Sequence, residues 1–174
     1  MVFKEIVTKA VVGKGKKYFK NKYSIETEKA PTTVLGCWVI NHKFKGYKQG
    51  DNIGVDGTYD VNIWYSYDND SKTTVVNKKI DYNDLFNVKI KEDTDLTSDT
   101  EIIVRSLKQP SCTNVLIKDD GSIDFDIEKE LGVEVVGETK MKIQIEDTEE
   151  PWQDLNDEVK EDEIDKSVDE NYLN

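Results

Sequence analysis

The stretch from Tyr59 to Tyr67 reads Tyr-Asp-Val-Asn-Ile-Trp-Tyr-Ser-Tyr, and it decides the fold. Aromatic and β-branched side chains occupy every second position, and mostly polar side chains lie between them. Because side chains alternate faces along a β-strand, this pattern predicts a strand with one apolar and one mostly polar face. Trp64 falls on the polar face, where it either packs beneath a second layer or is left for a partner.

The residues after this stretch predict a hairpin. Residues 68–71 read Asp-Asn-Asp-Ser, which are residue types that favour turns, and residues 73–80 alternate again as a second strand. One side of such a hairpin faces water, and its apolar side needs a covering layer.

The rest of the chain up to residue 146 predicts further short strands separated by turn residues. A second hairpin turn is predicted at residues 119–122, which read Asp-Asp-Gly-Ser. We count roughly nine or ten strands, with no internal repeat and no helical periodicity before residue 150. Regularly spaced strands of this kind predict an all-β fold, either an antiparallel β-sandwich or a partly closed barrel.

A continuous apolar run, Val-Leu-Gly-Cys-Trp-Val-Ile, covers residues 34–40. The run is short and ends at Asn41, so it predicts a buried central strand with Trp38 in the core. Gly36 within the run indicates a bulge or a close approach of two backbones.

Charge is distributed unevenly along the chain. Residues 1–50 contain 11 lysines and 3 acids, whereas residues 146–174 contain 13 acids and 2 bases. The acidic end has too little apolar surface to offset the entropy of ordering the chain. We therefore expect an assembly domain over residues 1–146 and an acidic C-terminal tail over residues 147–174, which is disordered or short-helical.

The two cysteines, Cys37 and Cys112, are too few for a disulfide framework and fit a reducing compartment. We expect each to be a small core residue, and a disulfide formed after release into an oxidising environment is the lesser alternative. The first residues lack the apolar run of a signal peptide, and no stretch is apolar enough to span a membrane. The expectation is a protein that stays where it is made, with no direct membrane insertion.

No catalytic, metal or cofactor site is predicted. His42, the sole histidine, is five residues from Cys37, so on a strand the two side chains would face opposite ways. Cysteine and histidine together number three, too few for a structural zinc site. The basic segment at residues 13–17 lacks the spacing of a phosphate loop and predicts a turn or bulge between two strands. A net charge of −12 opposes nucleic-acid binding.

Several motifs in order resemble the CotE family, the outer spore coat morphogenetic proteins of endospore-forming bacteria. The resemblance covers about residues 4–145 and rests on the segments at residues 4–12, 34–43, 59–67, 109–112 and 134–140. The acidic, Trp-containing tail agrees in character. The tail is nevertheless where the sequence departs most from the family pattern, since it is short and ends Asn-Tyr-Leu-Asn.

The resemblance implies a non-enzymatic scaffold that self-associates in the mother-cell cytoplasm, docks on the developing spore and recruits outer-coat proteins. The body would carry oligomerisation and docking, for which our candidates are Trp64, Tyr59, Tyr65 and Tyr67. The tail would bind client proteins. There, Trp152, Leu155 and Val159 would align on one helical face beside Glu158 and Glu161; a tail that only keeps the body soluble is the other possibility.

Two other functions stay open. The tryptophans and tyrosines would also suit a β-sandwich carbohydrate-binding module, which presents an exposed aromatic platform and remains monomeric. An enzyme with a carboxylate pair would need two acids converging in a deep cleft, at least one with a perturbed pKa.

Overall fold

The computed structural model describes residues 2–92, 94, 96–146 and 151–155. Strands make up 76% of these residues, and none of them is helical. The six strands are β1 (Val2–Ile25), β2 (Thr33–Gln49), β3 (Asn52–Tyr67), β4 (Lys72–Phe86), β5 (Glu101–Ile117) and β6 (Ile123–Ile145).

The strands form two three-stranded antiparallel sheets, in the orders β1-β6-β5 and β2-β3-β4. The predicted all-β, antiparallel architecture is confirmed, and neither sheet closes into a barrel. The central strands β3 and β6 contribute most of the core, because only a central strand is paired on both edges and covered by the opposite sheet. The expected division at residues 146/147 stays a prediction. Glu5–Met141 form one compact unit, and the described residues of the two chain ends form another.

The strands are longer and fewer than the sequence predicts. The basic segment at residues 13–17 does not interrupt β1, and Gly137 does not interrupt β6. Pro110 lies within β5, whose pairing with β6 shifts register between Lys108 and Ser111. A proline cannot donate to the strand ladder, and an edge strand with a bulge accommodates it.

The two predicted hairpin turns are confirmed. Asp68, Asn69 and Asp70 all have positive φ, and Gly121 has a φ of +88°. A third turn lies at Gly50, where a φ of +60° closes the β2–β3 hairpin. The neighbouring glycines Gly46, Gly54 and Gly57 do not interrupt β2 or β3.

The quoted stretch forms the second half of β3, as predicted. The side chains of Tyr59, Val61, Ile63 and Tyr65 are buried, and they pack with Ile123, Phe125 and Ile127 of β6. A second apolar cluster lies further along the same two strands, formed by Val12, Ile53, Val55, Phe86, Leu131, Val133 and Val135.

A polar layer separates the two apolar clusters. On β6, Lys129 lies between Ile127 of the first cluster and Leu131 of the second. On β3, Gly57 holds the matching position, and the ring of Tyr82 from β4 occupies the space a side chain would fill there. The core is therefore two hydrophobic clusters with ionic and aromatic groups between them.

Candidate functional site

The outer face of the β2-β3-β4 sheet carries two exposed tryptophans. Trp38 is 53% exposed and Trp64 is 42% exposed. Trp64 pairs with Gly36, and Trp38 pairs with Asn62, so the two indoles are diagonal neighbours on one face. The indole of Trp38 lies over Gly36, where any β-carbon would collide with it. We call Trp38, Trp64 and the exposed Ile40 beside them the tryptophan face.

The position of Trp38 corrects the prediction that it is a core residue. The run at residues 34–40 belongs to β2, which is an edge strand, and only Cys37 and Val39 of its middle point toward the core. Trp38 points the other way, since side chains alternate along a strand. The sequence also predicts that Trp64 lies closer to the surface than Trp38; Trp64 is indeed exposed, but the order is reversed, because Trp38 is the more exposed of the two.

The tyrosines proposed with Trp64 for docking do not join it. Tyr59 and Tyr65 are buried, because they share the core face of β3, and Tyr67 is half-buried on the same face. A buried side chain cannot contact a partner without opening the core. Of the four predicted docking residues, only Trp64 is classed as exposed, with 42% of its surface accessible.

A bulge at Asn41 reverses which side chains of β2 point toward the core. It has a φ of +56°, and the pairing with β3 shifts register between Ile40 and Lys43. One extra residue in a strand exchanges its two faces. His42 therefore turns inward, on the same face as Cys37, and the prediction that these two side chains face opposite ways is wrong.

His42 belongs to the polar layer inside the sandwich. Its Nε2 atom is 2.7 Å from the hydroxyl of Tyr82, and its Nδ1 atom is 3.4 Å from Oε1 of Gln109. Burial lowers the pKa of His42; the hydrogen bond with Gln109 opposes that effect, and the charge of Lys129 adds to it. The imidazole is thus built into the fold as a neutral packing group.

Cys37 and Cys112 form a disulfide, which corrects the expectation of two separate core cysteines. The bond joins β2 of one sheet to β5 of the other, with a Cα–Cα distance of 6.0 Å. The cysteines are 75 residues apart in sequence, and the strands that bring them together are not neighbours in the chain. Neither sulfur is then a free thiol for nucleophilic chemistry.

The outer face of the β1-β6-β5 sheet is charged. Each of two glutamates on the central strand lies between cations from both edge strands: Glu128 with Lys20 and Lys108, and Glu134 with Lys14 and Arg105. The hydrogen bond from Tyr18, followed by that from Lys108, lowers the pKa of Glu128. This face combines ion pairs with exposed aliphatic side chains such as Leu107 and Leu116, whereas the tryptophan face of the other sheet carries two exposed indoles.

The predicted client-binding residues lie partly outside the described residues. Trp152 and Leu155 are both highly exposed, and residues 151–155 are not helical. The other three, Val159, Glu158 and Glu161, fall outside the described part of the chain. The helical alignment of the tail therefore stays a prediction.

Two further features, a metal-ion site and a membrane-spanning helix, are not found in the described part of the chain. No group of three or more histidine, cysteine, aspartate or glutamate side chains is placed to hold a metal ion. Among the same residues, no helix has the length and apolarity to cross a membrane.

These features define a disulfide-linked β-sandwich that presents aromatic surface on one outer face, as interaction proteins do. A family model described as Outer spore coat protein E (CotE) matches residues 2–174. The chain belongs to the CotE family, which is a structural spore coat family and not a known enzyme family. No curated protein and no solved structure matches the chain.

Proposed function

We propose that this protein is a morphogenetic scaffold of the outer spore coat, which self-associates around the developing spore and recruits other coat proteins. The tryptophan face is the observation that carries the self-association step. Two large, diagonally adjacent indoles stay exposed on an outer sheet face, where burial against another molecule would remove apolar area from water.

Strand β2 adds a second reason to place self-association here. It is an edge strand of its sheet, and an edge presents backbone groups that can pair with another chain. Trp38 and Ile40 lie on this same strand. A contact at this edge could therefore combine backbone pairing with burial of the tryptophan face.

The proposed site of action is the mother-cell cytoplasm, followed by the spore coat. Membership in an outer-coat family supports the second location. The acidic tail, with the exposed Trp152 and Leu155, is the proposed binding segment for client coat proteins.

The tail's role can be tested in sporulating cells. A chain that ends after Glu146 should reach the spore yet fail to retain outer-coat proteins in spore extracts. The Trp152→Ala and Leu155→Ala double variant should do nearly the same without changing the charge of the tail. If that variant retains the clients while charge reversal of the tail loses them, the tail acts as an electrostatic tether and not as an apolar anchor.

A carbohydrate-binding module remains the second candidate, because the tryptophan face is also the aromatic platform that such a module needs. The two functions differ in solution. Light scattering on purified full-length protein should show a mass that rises with concentration if the protein is a scaffold. A monomer at every concentration that also co-sediments with an insoluble polysaccharide would favour the module.

A further inference from the structure

Lys129 and Asp84 form an ion pair inside the sandwich. Lys129 is 0% exposed, the side chain of Asp84 is 13% exposed, and Lys129 Nζ lies 3.1 Å from Asp84 Oδ2. Lys129 is on β6 and Asp84 is on β4, so the pair connects the two sheets. The other ion pairs of the described residues have cations with 45% or more of the side chain exposed, so this pair is set apart by its burial.

Aromatic rings enclose the ammonium group. Lys129 Nζ lies 4.1 Å from the ring centroid of Tyr82 and 4.5 Å from that of Phe19. The angle of its contact with Asp84 is outside the hydrogen-bonding range, and neither Nζ nor Oδ2 has a hydrogen-bond partner among the described residues. Charges removed from water in this way are compensated only by each other and by the ring faces.

We propose that Lys129 and Asp84 condense into an intramolecular isopeptide bond between the two sheets. A bond forms between Nζ of Lys129 and Cγ of Asp84, and one Cγ–O bond of Asp84 breaks. The departing oxygen leaves as water with two of the three ammonium protons, and the third stays on the amide nitrogen. The step needs no oxidant, reductant or cofactor.

The interior favours this condensation for a physical reason. In water, hydration of the ammonium and carboxylate groups holds the equilibrium on the side of the separate ions. Inside the sandwich that hydration is lost, whereas the amide product carries no charge and is far less sensitive to burial. The fold also holds the two groups together, which gives the reaction the high effective concentration of an intramolecular step.

A hydrogen-bonded pair, Tyr82 and His42, borders the ammonium group of Lys129. The hydroxyl of Tyr82 is 2.7 Å from His42 Nε2, and the ring of Tyr82 packs on Lys129. Burial raises the pKa of Tyr82, and the charge of Asp84 raises it further, so Tyr82 stays protonated.

Mass spectrometry of the full-length protein tests the proposal. After complete reduction of the disulfide, the protein should be lighter than its sequence by the mass of one water molecule. A tryptic digest should contain a branched peptide that joins residue 84 to residue 129, with no cleavage after Lys129. Asp84→Ala and Lys129→Ala should each restore the full sequence mass, whereas Lys118→Ala, which removes the exposed pair with Asp124, should keep the loss.

The digest also separates the proposal from the other way in which this chain can lose water. Aspartate followed by glycine can cyclise to a succinimide, and Asp56 and Asp120 both precede glycine. A water loss located at either of these residues would overturn the proposal. So would wild-type protein of full sequence mass, with residues 84 and 129 in separate linear peptides.

Discussion

Asn41 and Asn114 hold matching positions in opposite sheets. Each has a positive φ, 56° and 51°, at a register shift of an edge strand. Each donates its side-chain amide to an aspartate of the adjacent central strand, Asp60 at 3.0 Å and Asp126 at 2.9 Å. The two edge strands that carry these bulges are also the two strands that the disulfide joins.

Asn41→Ala should lower the free energy of unfolding by about 1–2 kcal/mol, because alanine adopts a left-handed conformation poorly and loses the hydrogen bond to Asp60. Asn41→Gly loses the hydrogen bond but tolerates the backbone, so it should lower stability less. Urea denaturation of the two variants checks this order. If the two variants were equally stable, a β-carbon at residue 41 would cost nothing, and the left-handed backbone there would not be strained.

Reduction of the disulfide should lower the free energy of unfolding by about 4.5 kcal/mol, on the chain-entropy estimate for a loop of 75 residues. The measurement is urea denaturation with and without a thiol reductant. The Cys37→Ser and Cys112→Ser double variant is the control, since its midpoint should not respond to reductant. A wild-type midpoint that is also unresponsive would show that the bond does not stabilise the fold.

Phe125→Ala should destabilise the protein by about 3–5 kcal/mol, because the ring is fully buried between the sheets. Trp38→Ala should change stability by less than about 1 kcal/mol, because the indole is half exposed on an outer face. Thermal melts at a protein concentration where both variants are monomeric make the comparison. If the Trp38 variant were as unstable as the Phe125 variant, Trp38 would have to be a core residue, and this prediction would be wrong.

The stability of the protein should fall as the pH drops below the ordinary His42 pKa of 6.5. Burial lowers the pKa of His42 in the folded state, so the unfolded chain takes up this proton first. The stabilising contribution is present above pH 6.5 and is lost as the pH falls from that value through the lower pKa of His42 in the folded state. The His42→Gln variant does not titrate here, and its urea midpoint should fall less over the same range; identical pH profiles would contradict this.

The alternation of apolar and polar residues along the sequence was sufficient to predict the central strands. Tyr59, Val61, Ile63 and Tyr65 share one face, and that face is the core face of β3. The same alternation placed Lys129 among apolar positions of β6, which was the available signal for the buried ion pair.

The edge strand and the disulfide were harder to predict. An edge strand with apolar side chains on both faces has the same sequence pattern as a buried central strand, which is why the sequence predicts Trp38 in the core. The bulge at Asn41 also exchanges the inward-facing and outward-facing positions of β2. The residues around Asn41 form no pattern from which this bulge could be predicted. The disulfide depends on which strands lie opposite each other, and this follows from the packing of the sheets.

Sedimentation velocity of full-length protein over a concentration series tests the central claim, that the tryptophan face mediates self-association. Wild-type protein should form assemblies that grow with concentration, and the Trp38→Ser and Trp64→Ser double variant should sediment as a folded monomer. Leu116→Ser, which removes an exposed apolar side chain from the other sheet, should assemble like wild type. A monomeric wild type, or a double variant that assembles as well as wild type, would contradict the account.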